Sequence, residues 1–260
     1  MSQRRFLAVG FTAMALACVM AGGSDLMAVV NGPLDGNNHP SVGFIFAQQS
    51  DPNTCNSELV SACSAILVSP TVAVTSGGCA DSFSSGPFVI SADWINFNPD
   101  NPFDCTTASR VDSIHLHPGF VAGQALSTGD LGVLVLAAPA TVTPATLPGA
   151  NTQGGYVKGN PFELVNWSGI SKGNVYDNRR RFSPAEFTSG DADFLGIHIT
   201  LNGGHICVGF NEGGGAFLPL SQNLSALLID GSAGGCKNAQ LLRLDTTNVR
   251  DFLDDYMTLP

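Results

Sequence analysis

From Val30 onward the chain is a succession of short apolar or β-branched runs, each closed off by Gly, Pro, Asn, Asp or Ser. The clearest are Ser41-Val42-Gly43-Phe44-Ile45-Phe46, Ala65-Ile66-Leu67-Val68, Val72-Ala73-Val74-Thr75 and Leu131-Gly132-Val133-Leu134-Val135-Leu136. Runs this short between turn formers predict strands of a sandwich or barrel, since an extended chain crosses a small core quickly and must then reverse. No long internal stretch carries a helical period. The tail does: behind Leu244-Asp245-Thr246-Thr247, the apolar Val249, Phe252, Leu253 and Tyr256 fall at i, i+3, i+4 and i+7, with a threonine or aspartate available as cap. That pattern predicts a short amphipathic helix whose aromatic residues pack on the body of the protein. Polar and proline-rich stretches at 98–102 and 139–154 read as loops, the second joining two halves, and no internal repeat is visible.

The first 21 residues follow a different pattern. Arg4 and Arg5 precede an apolar run from Phe6 to Ala21, interrupted only by Gly10 and Thr12, and small residues follow. The run falls short of the roughly 20 residues a bilayer needs, so it predicts a secretory signal peptide over 1–21 and no transmembrane span. Cleavage after Ala21 is favoured over cleavage after Ala28. Of the seven cysteines, Cys18 lies in this leader, and the other six form an even set suited to disulfides in an oxidising compartment. The mature chain is thus expected to be secreted and extracellular. Lipid attachment at Cys18 is the lesser alternative, because Leu16 stands one place too near the cysteine for a lipoprotein box.

With 260 residues, 44% of them hydrophobic, the chain has enough material for one large all-β domain or two small ones. Its formal net charge of −10 repels phosphate backbones, which argues against nucleic acid and favours basic ligands. The histidines and cysteines lack metal-ligand spacing, so neither a metal nor another cofactor is expected.

Between Cys63 and Cys79 the sequence is CSAILVSPTVAVTSGGC. It resembles the segment carrying the catalytic histidine in trypsin-like serine proteases, with Gly78 where the histidine stands. The resemblance extends over most of the mature chain. Val29-Val30-Asn31-Gly32 with Asp35 to Pro40 is similar to the first strand of the secreted, bacterial-type branch. His117-Pro118-Gly119-Phe120 followed by Thr128 to Leu136 resembles the segment of the catalytic aspartate, and puts the family's acid at Asp130. Gly203 to Gly209, then Gly213-Gly214-Gly215, occupies the place of the nucleophile motif CxGDSGGP. Arg243 to Leu253 resembles the closing strand and helix.

The resemblance implies an all-β fold of two antiparallel six-stranded β-barrels with a short C-terminal helix. The protease-like domain would span 29–260, with a first barrel over about 29–145, a second over about 150–247 and the helix at about 248–257. It further implies disulfides Cys63–Cys79 and Cys207–Cys236, and then Cys55–Cys105 as the remaining pair. His39 and His117 fall in structural His-Pro turns.

The machinery is where the sequence departs from the family. Glycine at position 78 can neither take a proton from a serine nor return it to a leaving amine. Phe210-Asn211-Glu212 interrupts the nucleophile motif, so the serine's place falls on Asn211, Glu212 or Gly213 according to whether zero, one or two residues are inserted. None of the three offers a hydroxyl. Only the third register leaves an acid, Glu212, to pair with a new amino terminus at Val29. Asp130 then reads as a remnant. In the specificity pocket His205 stands where trypsin-type specificity places an aspartate, and Asp230 replaces a serine on the substrate-pairing strand. The resemblance therefore implies a proteolytically silent homologue that binds a peptide or protein in its vestigial cleft, with an active protease or a protease inhibitor as candidate partners. The alternative is a serine endopeptidase with an atypical site.

Overall fold

The computed structural model describes residues 32–48, 59–84, 92–124, 126–168, 178–200, 212–231 and 237–260. The first six strands are β1 (Val42–Gln48), β2 (Leu59–Ser69), β3 (Val72–Thr75), β4 (Ala92–Asn96), β5 (Ser109–Leu116) and β6 (Gly132–Leu136). They close into a barrel in the order β1-β2-β3-β6-β5-β4. The second six are β7 (Pro161–Ser168), β8 (Arg179–Gly190), β9 (Phe194–Ile199), β10 (Gly215–Phe217), β11 (Leu224–Gly231) and β12 (Asn238–Arg243). They form a second closed barrel, β10-β11-β12-β9-β8-β7, and every strand pair in both barrels is antiparallel. Traced from β7, the second barrel repeats the connection pattern of the first. A repeat invisible in the side chains is thus present in the hydrogen-bond topology.

Strand periodicity explains three cores from two barrels. On β1, Ile45 and Ala47 face the first barrel's interior with Leu67, Ala73, Ile95 and Leu134. The alternate residues Val42, Phe44 and Phe46 face the other way and meet Val165, Trp167, Phe217 and Leu227 of the second barrel. A separate cluster around Phe162, Leu164, Ile197 and Leu241 fills the second barrel. The apolar seam between barrels fixes their relative placement, and the site described below lies at its edge.

Two helices complete the chain, α1 (Gly77–Ser84) and α2 (Thr247–Asp254). The second is the helix its periodicity predicts: Thr246 caps it by accepting from the Val249 amide, and Val249, Phe252 and Leu253 are buried. Phe252 meets the His117 ring edge-on at 5.0 Å, and Tyr256 lies 4.7 Å from His115. Helix α1 has no such signature in sequence, since it begins with two glycines and runs for 8 residues. It forms because Ser76 Oγ accepts the Cys79 amide at 3.1 Å and the Cys63–Cys79 disulfide ties it to β2. The loops read at 98–102 and 139–154 are irregular apart from a single 3-10 turn at Gln153–Gly155. Among the described residues no helix is long and apolar enough to cross a membrane.

Candidate functional site

Three segments converge at one end of the barrel seam: the start of α1, the turn before β6, and the turn before β10. Asp130 comes from the second of these. It is buried, and its Oδ1 accepts the Gly78 amide at 3.1 Å. The carboxylate is thus bound by the backbone of Gly78, which has no side chain to offer it.

Glu212 comes from the third segment. Its backbone oxygen accepts the Ser64 amide at 3.2 Å, which anchors the turn to β2. Its carboxylate reaches back to α1, where Oε2 accepts the Ser76 hydroxyl at 3.1 Å. A Cβ on Gly78 would stand 2.6 Å from that same Oε2. The glutamate head group therefore fills the space into which a side chain at position 78 would grow.

Gly213 has no room for a side chain of any kind. Its φ is +83°, and a Cβ there would lie 2.0 Å from the Ser64 carbonyl oxygen and 2.3 Å from Thr75 Oγ1. Its amide donates to the Leu228 carbonyl at 2.9 Å, so the turn is stitched into the second barrel as well. Of the other positions named from sequence, Asp230 lies on β11 opposite Gln240. Asn211, His205, Cys55, Cys207 and Cys236 lie outside the described residues, as do Ala28 and Val29. The Cys63–Cys79 bridge is present, and Cys105 is also disulfide-bonded.

The described histidines are engaged elsewhere. His117 Nδ1 accepts the Gly119 amide at 3.0 Å, His115 bonds Ser113, and His198 bonds Asn238. His39 is buried in contact with Asp35. The hydroxyl beside Glu212 is no nucleophile in waiting, because Ser76 is fully buried and its oxygen is held by the helix cap. The cluster thus joins two carboxylates to backbone and hydroxyl donors; the described serine–imidazole contact, Ser113 Oγ to His115 Nε2 at 2.9 Å, lies apart from it on β5.

Sequence reasoning overlooked Ser76, whose signal was its position one residue before a helix that periodicity does not reveal. It also passed over Arg180, the middle of Arg179-Arg180-Arg181 in an otherwise acidic chain. Arg180 is fully buried and donates to Asp35, Val42 and Phe97.

The two closed barrels and the C-terminal helix define the trypsin-like serine protease fold. Solved structures with the same architecture include HL collagenase, at a TM-score of 0.67 and 13% identity over 87% of this chain and 98% of that one. Human heparin binding protein matches at a TM-score of 0.62 and 13% identity, over 89% and 99% of the two chains. The Vibrio cholerae VesB protease matches at 0.65 and 13%, over 86% of this chain and 66% of its own. At such identity the likeness is one of fold. No protein-family model matches the sequence, and no curated protein matches it.

Proposed function

We propose that this chain is a secreted serine protease homologue without proteolytic activity, which binds a peptide or protein segment through its vestigial cleft. The observation that carries the reading is the Glu212 carboxylate 2.6 Å from the Cβ position of Gly78. In this reading Gly78 marks the vacated base, the vacated nucleophile falls on Asn211, Glu212 or Gly213, and the approach of Glu212 to Gly78 favours Glu212. Asp130, with its Oδ1 on the Gly78 amide, is a structural remnant. Losing a single member of such a triad costs about 10⁴ to 10⁶ in turnover, and here two are replaced.

The leader over 1–21 and the disulfides support secretion. Heparin binding, the property named for one structural neighbour, does not suit a chain with a net charge of −10, since a polyanion would be repelled. A basic peptide, whether from a protease or from an inhibitor, suits it better. His205 and Asp230 belong to the altered pocket in this reading, so the cleft would not select substrates as trypsin does.

The test is incubation of the mature, disulfide-intact protein with a diverse peptide library, read by mass spectrometry beside an active protease of the same fold. The expected result is no cleavage above buffer. Cleavage that co-purifies with the protein and disappears in a Glu212→Gln variant would sink the proposal in favour of an endopeptidase with an atypical site.

A further inference from the structure

The segment that joins the barrels is pinned to the second of them. Thr146 bridges Asn223 in parallel, its amide donates to the Gln222 carbonyl at 2.9 Å, and its own carbonyl accepts the Leu224 amide at 3.0 Å. Between this segment and the β10–β11 hairpin lies a cavity of about 270 Å³. Leu147, Pro148, Leu218 and Leu224 supply apolar wall, and no charged side chain lines the cavity among the described residues. Such a site selects an uncharged guest, because an ion entering it would give up its hydration without gaining a partner.

Gln153 lines the same cavity and is only 4% exposed. It is held at both ends: its backbone amide donates to Asp245 Oδ2 at 2.8 Å, and its side-chain Nε2 donates to the Ser225 carbonyl at 2.7 Å. The second bond sets the orientation of the side-chain amide, so the atom left over is an acceptor. That atom, Oε1, is buried with no hydrogen-bond partner among the described residues. Tyr156 lines the cavity too, with its hydroxyl 3.1 Å from Ser225 Oγ and its ring edge-on to Phe162 at 5.1 Å. A buried acceptor without a donor opposes folding. Water answers it poorly here: the volume would hold several molecules at about 30 Å³ each, every one wanting roughly two to four polar partners, against walls rich in leucine and proline.

We propose that this cavity binds a small uncharged molecule with an apolar body and one N–H donor, which the Gln153 side-chain oxygen accepts. Apolar walls with one or two placed polar groups are the usual build of a small-molecule site, and a volume just under the usual range limits the guest to about the size of an indole. The leucines and the Tyr156 ring take the apolar body. The Tyr156–Ser225 hydroxyl pair can either donate or accept, so the selective group is Gln153, whose oxygen only accepts. The cavity shares no lining residue with the cluster around Gly78, so it does not depend on how the cleft is read.

Calorimetric titration of the mature, disulfide-intact protein with indole and with benzofuran tests it, since benzofuran keeps the shape and puts an oxygen in place of the N–H. Backbone amide chemical shifts locate the binding. The expected result is one indole per chain, shifts centred on Gln153, Leu224 and Ser225, and benzofuran bound about tenfold more weakly. In Gln153→Met, whose side chain has similar length and no acceptor of that strength, the two probes should bind alike. The comparison in the parent protein stands even if that variant does not fold. No binding of indole, equal affinity for the two probes in the parent, or shifts centred elsewhere would overturn the assignment and leave the cavity to water.

Discussion

At residue 78 the absence of a side chain is coupled to the presence of one at 212. In a helix, Gly→Ala is ordinarily stabilising by about 1 kcal/mol, because alanine loses less backbone entropy. Here the new methyl meets Glu212 Oε2 at 2.6 Å. Gly78→Ala is therefore expected to gain little in the parent and to recover the ordinary gain in a Glu212→Ser background, a coupling of about 0.5–1 kcal/mol by chemical denaturation. Additive effects would show that the two positions do not meet.

A second residue-scale prediction concerns Asp93, whose carboxyl burial pushes up to about 6. Its Oδ1 is buried with no hydrogen-bond partner among the described residues. The folded protein holds this proton more tightly than the unfolded chain does, so stability falls as pH rises from the ordinary aspartate range to about 6, and levels off above it. Asp93→Asn should therefore exceed the parent in stability at pH 8 and match it near pH 3.5, read from melting temperatures across that range. An offset that stays constant with pH would mean that the buried charge is not what destabilises the parent.

Also at this scale, the Cys63–Cys79 bridge implied by the resemblance is present, and it frames Gly78. The surroundings of the turn before β10 were not legible. Asn211, Glu212 and Gly213 differ in sequence by one step each, and what separates the two described ones is three-dimensional: the positive φ of Gly213 and the Ser64 carbonyl against it.

Among the elements, α1 shows what a hydrophobic pattern cannot reveal. Its opening glycines have little intrinsic preference for helix, and a cap and a covalent bond hold it instead. Ser76→Ala should cost about 1 kcal/mol for the cap, and more if Glu212 is left unmatched. Replacing Cys63 and Cys79 together by serine should cost about 3 kcal/mol on a chain-entropy account, seen as a lowered denaturation midpoint. Should the serine pair leave the midpoint unchanged, the bridge is not what positions α1. Helix α2, by contrast, was legible from its apolar spacing and capping threonine, because a helix this short draws most of its stability from one face meeting the barrels.

For the whole molecule, short apolar runs between turn formers predicted a sandwich or barrel, the family resemblance implied two six-stranded barrels, and two are found. The duplicated strand order was hidden because hydrogen-bond topology leaves side-chain identity free. Hidden too was the polar link across the seam, where Arg180 on β8 donates to Asp35, Val42 and Phe97 around the first barrel. Burial lowers the arginine's proton affinity, and the neighbouring Asp35 charge partly restores it. Because the pair is fully buried, removing one partner strands the other: Arg180→Met is expected to cost about 3–5 kcal/mol in urea unfolding. Asp35 titrates below its ordinary value when folded, so its contribution is present above that ordinary value and is lost as pH falls through the folded one. A loss under about 1 kcal/mol for Arg180→Met would mean that the apolar seam alone joins the barrels.

The most direct measurement is fluorophosphonate labelling of the purified, disulfide-intact mature protein, with mass spectrometry to locate any adduct and an active protease of the same fold as control. On the proposal that Gly78 and Glu212 stand in place of base and nucleophile, no serine should be labelled while the control reacts fully. A single labelled serine would contradict the inactive reading and place a working nucleophile where it has none.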